Sequence, residues 1–444
     1  MIVLLILLIA VIAGSDIFSK DLSLLPGLSA KNAMLYAVGM ALFFRGVIAG
    51  TLRIERPAVH ALFGVWFGYA LLSCIVAAAV IQYPGYDFIG SLLTLKSLLI
   101  DAGLFFLVAF YGPRTLAEAR LVLKALAAAM CVASLVTVLD VAGIVHFGIR
   151  VGEEGVEAGR VFGVFGHAND TAALIVCMLP LVLASASSGR WPVRLLWYAG
   201  ALATVAVLLL TVSRGAYAGA LIGSAVAIWL CRRYVRPGRI AIAVLVGIAV
   251  VFLALVVAGA VEPQIRGILA DRLLGQSRDI DVSEASSGRA SIWTDVVLSM
   301  LSQPITLLTG YGWNVYSTMS FGLVTHNYYL DLWFELGVVG VLAFLLIMGH
   351  SILGSLRALP LAARGDRPYF LAFVFGICML LVAVFFSNVY KALPYIWMYV
   401  GVTLRAATLT EPENLARLAD ARPAVRGAHV RLGGGTPRRV TPVH

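Results

Sequence analysis

Three arginines and one histidine have the neighbours that chemistry would require: Arg160, Arg214, Arg289 and His326. Arg214 stands in Ser213-Arg214-Gly215, between two apolar blocks with almost no loop. An arginine there is held at a surface between helix ends. It can snorkel toward water, or present its planar fork to a phosphate. Arg289 opens an amphipathic stretch, and a cation beside the unpaired amides of a helix N-terminus suits an anion. The competing account is a solvated loop charge, like Arg266, Arg272 and Arg278 nearby. His326 precedes a long apolar block in Thr325-His326-Asn327-Tyr328-Tyr329-Leu330-Asp331. Its side chain is the one best able to exchange a proton near neutral pH. Asn327 can hydrogen-bond beside it, and Asp331, one turn on, could fix the ring tautomer. A histidine at such a border also serves structure, and arginines converging on it would favour chemistry. The segment Gly159 to Asp170 adds Arg160, His167 and Asn169 among glycines that permit tight turns and close approach of backbone to a ligand. An ordinary interfacial loop is the other account of it.

The elements that must position these residues are membrane helices. Of the 444 residues, 61% are hydrophobic and 13% charged, against roughly 25% charged in an ordinary globular domain. Mean hydropathy is +0.95. The apolar residues come in unbroken blocks, so the helices are apolar all round and lipid is their natural solvent. The fold class expected is an all-α, polytopic integral membrane protein of about twelve transmembrane helices, near the ~20 residues each that a crossing needs. The spans fall at 1–14, 32–50, 58–81, 88–111, 120–141, 167–187, 194–212, 215–231, 239–259, 328–353, 369–387 and 390–408. The N-terminal block, Met1 to Gly14, lacks a basic flank, which predicts a first span rather than a cleavable signal. Basic residues alternate between linkers: Arg53 and Arg56; Arg114, Arg120 and Lys124; Arg190 and Arg194; Arg232 to Arg239; Arg357 to Arg367. The positive-inside rule puts these on the cytoplasmic side, and with them both termini. It also absorbs the net charge of +10 without invoking nucleic acid.

A membrane domain over 1–409 therefore carries a long non-cytoplasmic loop at 260–327, and 410–444 reads as a disordered basic cytoplasmic tail. In the loop, Ile292, Trp293, Val296, Val297, Met300 and Leu301 share one helical face, an amphipathic helix that Gln303-Pro304 ends. Gly310-Tyr311-Gly312-Trp313 then reads as a turn with aromatics at headgroup level. The five cysteines lie in or at the ends of apolar blocks, as small hydrophobes and not metal ligands. Lys96 and Asp101, five apart inside one span, can neutralise each other.

In chain order, Gly159-Arg160, Gly166-His167-x-Asn169, Ser213-Arg214-Gly215, Gly288-Arg289 before Ile292-Trp293, Gly310-Tyr311-Gly312, and His326-Asn327 followed after nine residues by Gly337-x-x-Gly340 resemble the O-antigen ligase and polymerase superfamily of bacterial envelopes. The resemblance covers about 150–350 by motif and the whole chain by topology. Alanine stands at 168, where members of the family often have proline. The resemblance implies a metal-independent, inverting glycosyltransferase of the bacterial inner membrane, needing no cofactor, with its active site on the periplasmic side. Its partners would be an undecaprenyl-diphosphate-linked glycan as donor, lipid A–core as acceptor, and membrane lipids. Arg214 and Arg289 would grip the diphosphate, with Arg160 a further candidate. His326 would be the base that deprotonates the acceptor hydroxyl, with support from Asn327, Asp331, His167 and Asn169. The physics agrees: arginines stabilise charge growing on a diphosphate leaving group, and a sugar hydroxyl is a poor nucleophile until a base takes its proton.

The His-Asn spacing favours a ligase over an O-antigen or exopolysaccharide polymerase, which would use the same donor. A protein oligosaccharyltransferase would carry a large extra periplasmic domain. A lipid-linked glycan flippase or transporter would show repeated halves and charged or broken helices at the midplane. A structural scaffold would have no use for His326 or Arg214.

Overall fold

The computed structural model describes the chain except residues 19–22, 26–27, 51–54, 56, 148–159, 188, 236–237, 239–288, 320–324 and 430–444; of 23–25, 57 and 412–429 it describes backbone only. Among the described residues the helices are α1 (Ile2–Ile17), α2 (Ala30–Ile48), α3 (Ala58–Ile81), α4 (Phe88–Tyr111), α5 (Leu116–Val141), α6 (Ala168–Ala186), α7 (Trp191–Leu210), α8 (Arg214–Leu230), α9 (Arg289–Ser302), α10 (Thr306–Thr309), α11 (Tyr328–Ala358), α12 (Arg367–Phe386) and α13 (Leu393–His429). A two-stranded antiparallel ladder, Ser23–Leu25 with Leu28–Ser29, joins α1 to α2.

Seven of these helices, α3 to α7 with α11 and α12, are long and apolar enough to cross a membrane, and α1 and α8 are shorter apolar helices. The chain is a helical membrane protein. The span expected over 239–259 and most of the loop expected over 260–327 lie outside the described residues. The last helix runs on to His429, past 410, where the tail was expected to begin. Among the described residues one large apolar core unites the long helices, with Trp66, Phe106, Phe373, Trp397 and Tyr399 among its buried side chains, and a smaller cluster around Val296, Tyr311 and Phe334 lies beside it.

Three of the apolar helices contain a π turn: 76–81 in α3, 96–100 in α4 and 219–223 in α8. Hydrogen bonding from i to i+5 changes which residues share a face. In α4 it brings Lys96 and Asp101 together at 3.1 Å, although five residues apart they would diverge on a regular α-helix. The Tyr36 hydroxyl donates to the second carboxylate oxygen at 2.7 Å. The pair is thus neutralised locally, as a buried charge requires.

The segment α9–α10 is locked onto a break in α11. Gly337 has φ 59° and ψ −158°, outside helical space, and frees the carbonyls of Phe334 and Glu335. The amides of Tyr311 and Gly312 take them, at 2.7 and 3.0 Å. This is what the Gly-Tyr-Gly turn does: it enters the kink rather than lying free at headgroup level. Backbone approaches backbone so closely that a Cβ on Gly337 would collide with the Leu308 carbonyl, and one on Gly310 with that of Glu335. Trp333 Nε1 donates to the Leu307 carbonyl and Trp293 Nε1 to that of Thr325, each at 2.8 Å. In α9, Ile292, Val296 and Met300 are buried as their spacing predicts. Leu301, expected on the same face, is exposed. The helix packs on α11 through the narrower Ile292–Val296–Met300 stripe, and Leu301 falls beside it.

Candidate functional site

Four chain segments meet at one end of the bundle. The first is 160–170, leading into α6. Arg160 is buried, 3% exposed. Its Nε donates to the Thr211 carbonyl at 2.9 Å and a terminal nitrogen to Asn169 Oδ1 at 2.7 Å. The second segment is the α7–α8 corner, where Ser213 Oγ also donates to Asn169 Oδ1, at 3.0 Å. Asn169 therefore ties Arg160 to the residue preceding Arg214. Arg214 itself, the first residue of α8, is exposed.

The third segment is 325–331. Asn327 caps α11, its Oδ1 accepting from the Tyr329 and Leu330 amides at 3.1 Å each, the arrangement that satisfies orphan amides at a helix start. Thr325 accepts from the Asn327 amide and donates to Asp331 Oδ1. Tyr390 donates to Asp331 Oδ2 at 2.7 Å. Both oxygens of Asp331 are engaged in holding the loop, so its influence on His326 passes through that loop rather than through a direct bond to the ring.

His326 is half-buried and stacks on His167, ring centroids 5.1 Å apart and planes 23° from parallel. His167 stacks in turn on Phe162, and its Nδ1 accepts from the Asn169 amide at 3.3 Å while capping α6. An accepting Nδ1 carries no proton, so the other nitrogen, Nε2, carries it in the neutral ring. Burial lowers the His326 pKa from 6.5 to about 4, and the charges of His167, Arg289 and Arg160 push the same way. Arg160 and Arg289 are therefore close enough to His326 to be felt electrostatically. At neutral pH the His326 ring is uncharged and has a lone pair to offer.

The fourth segment, 387–391 between α12 and α13, was not anticipated. Ser387 donates to Asp170 and Tyr390 to Asp331, bolting the first segment to the third. Its sequence signal was the one that singled out Ser213-Arg214: a short polar link between two apolar blocks. Thr325 was likewise missed, because a threonine two residues from an Asn cap has no signature of its own.

Backbone strain collects here. Val212, His326 and Val389 have φ of 46°, 51° and 48°, a region that the β-branched Val212 and Val389 would otherwise all but avoid. Each adjoins a polar residue of the site. Such conformations cost about 1–3 kcal/mol apiece and persist where surrounding contacts over-determine them.

Beside the site, between α9 and α11, lies an apolar cavity of about 340 Å³, lined by Trp293, Val297, Tyr329, Trp333, Leu342 and Phe385 among others, with Asn327 in its wall.

Residues 199–345 match the family model described as O-antigen ligase. The matched segment is similar to members of the O-antigen ligase and polymerase superfamily. It contains Ser213-Arg214, α9, the Gly310–Gly312 turn, His326 and the Gly337 kink, and it stops short of the 387–391 turn. Arg160 and His167 also lie outside it, yet reach it through Thr211, Ser213 and His326. No curated protein matches the chain. Members of this superfamily are glycosyltransferase-like enzymes, ligases or polymerases of lipid-linked glycans.

Proposed function

We propose that this chain is an O-antigen ligase of the bacterial inner membrane. It would move a glycan en bloc from undecaprenyl diphosphate to a sugar hydroxyl of lipid A–core on the periplasmic side. The observation that carries this is the surroundings of His326: an uncharged, half-buried imidazole stacked on His167, in the field of Arg160 and Arg289.

In this mechanism the acceptor hydroxyl attacks the anomeric carbon from the face opposite the diphosphate. His326 accepts the hydroxyl proton as the new C–O bond forms. The anomeric C–O bond to the diphosphate breaks, and its electron pair leaves on the phosphate oxygen. Configuration inverts, and undecaprenyl diphosphate departs. Arg214 and Arg289 receive the growing charge. Arg160, already committed to Thr211 and Asn169, positions the segment and adds its field. Charge balance makes the low His326 pKa workable. Without ligand the arginines repel a proton from the ring, whereas a bound diphosphate neutralises them, so the pKa of the ring rises toward the range where a base is effective. The apolar cavity beside Asn327 suits the isoprenoid chain next to the headgroup.

The purified protein, given an undecaprenyl-diphosphate glycan of known anomeric configuration and lipid A–core, should yield core-linked glycan of inverted configuration. Lengthened lipid-linked chains without core-linked product would make it a polymerase. A retained configuration would remove His326 as the base of a single displacement.

A further inference from the structure

The 387–391 turn presents a cation that no motif singled out. Lys391 Nζ lies 2.7 Å from the place where a Cβ on Gly166 would sit. Gly166 has φ 74° and directly precedes His167. The absence of a side chain is therefore what lets the ammonium settle against the loop that carries the stacked histidines. The placement does not depend on a wandering side chain alone. Ser387, four residues earlier, is bonded to Asp170, and Tyr390, the adjacent residue, to Asp331. Val389 between them is buried and held at φ 48°. The turn is fixed to both halves of the site, and Lys391 rides on it.

Among the described residues no carboxylate forms an ion pair with Lys391. The acidic side chains of these segments already have partners: Asp170 has Ser387, and Asp331 has Thr325 and Tyr390. A second observation lies on the same turn. Asn388 is 5% exposed, and neither its Oδ1 nor its Nδ2 has a hydrogen-bond partner. Asn169 Nδ2, whose Oδ1 joins Arg160 to Ser213, is likewise buried without one. Buried amides left without partners are costly, and here the two Nδ2 groups accompany a cation at one site, as donors waiting for an acceptor would.

We infer that Lys391 is a phosphate-binding residue, contributing to the diphosphate of the lipid-linked donor, with Asn388 completing the same turn. This rests on the donor class named under the proposed function. An ammonium on a flexible stem suits a phosphate as a point charge, complementing the directional forks of Arg214 and Arg289.

Lys391→Gln and Lys391→Arg, in the full-length protein in detergent, would be compared with wild type in two assays. The first is transfer, with donor and acceptor concentrations varied separately. The second is thermal protection by inorganic pyrophosphate, with no glycan present. A lost charge-assisted contact corresponds to roughly a 10- to 100-fold weakening. Lys391→Gln should raise the donor KM by that factor, leave the acceptor KM within about twofold, and abolish pyrophosphate protection; Lys391→Arg should restore most of each. An unchanged donor KM and unchanged protection in Lys391→Gln overturn the inference, as does an effect on the acceptor KM alone, which would assign the lysine to a phosphate of lipid A–core. Should wild type transfer nothing while pyrophosphate protects it and not Lys391→Gln, the phosphate site stands and the ligase reading falls. Equal loss in both variants, with lowered melting temperatures, would make Lys391 a structural residue and also overturn the inference.

Discussion

Replacing Arg160 by alanine separates the arginine that builds the site from those that serve it. Its guanidinium makes hydrogen bonds to the Thr211 carbonyl (2.9 Å) and Asn169 Oδ1 (2.7 Å) at 3% exposure. Bonds to charged groups contribute about 1.5–3 kcal/mol each, and groups left buried without a partner add to the loss. The two contacts are not independent, because both brace the same segment, so a net loss of about 3 kcal/mol is expected rather than the full sum. In a chain of this size that lowers the melting temperature by roughly 3 °C. Lysine should recover only part of it, since a single ammonium cannot reproduce two bonds leaving different edges of a planar fork. Arg214 is exposed, and Arg214→Ala should melt with wild type while losing transfer. Thermal unfolding of the detergent-solubilised variants, followed by intrinsic fluorescence, reads all three. If Arg160→Ala melts with wild type and Arg214→Ala melts several degrees lower, the division of labour between the two arginines is refuted.

Two further outcomes follow from the same geometry. Gly337→Ala should destabilise by about 3 kcal/mol or more, because its φ of 59° strains any Cβ and the added atom meets the Leu308 carbonyl; a variant that melts within 1 °C of wild type would show that the kink is not locked as described. His326 works only when neutral, and its pKa is lowered from 6.5 to about 4. Activity is therefore present above that folded pKa and lost as pH falls through it, so kcat/KM should keep its value down to about pH 5 and fall near 4. Arg289→Gln removes one repelling charge and should shift that limb upward, and kcat should show a higher limb than kcat/KM because bound diphosphate opposes the arginines; a limb near 6.5 in wild type would contradict the burial of the ring.

Much of this was legible in the sequence, and the gaps have physical causes. Unbroken apolar blocks identify membrane helices because lipid leaves no alternative for the backbone, and the expected spans over 58–81 and 88–111 coincide with α3 and α4. Ser213-Arg214 and His326 stood out because polar residues between apolar blocks are conspicuous. Their convergence did not, since it depends on Asn169 and on the His167 stack, contacts between segments more than forty residues apart. His167 caps α6 through the Asn169 amide, with Ala168 as the first residue of the helix. Lys391 was invisible because its meaning comes from Gly166, on another segment. The pairing of Lys96 with Asp101 was foreseen only as charge balance; the π turn that makes it possible has no signature in spacing alone.

The central claim is that His326 takes the acceptor proton, and the most direct test is single-turnover transfer by His326→Ala at saturating donor and acceptor. The account predicts a loss of roughly 100- to 10,000-fold, with the melting temperature and pyrophosphate protection of wild type retained. A rate within threefold of wild type would contradict it and return the reaction's base to another residue.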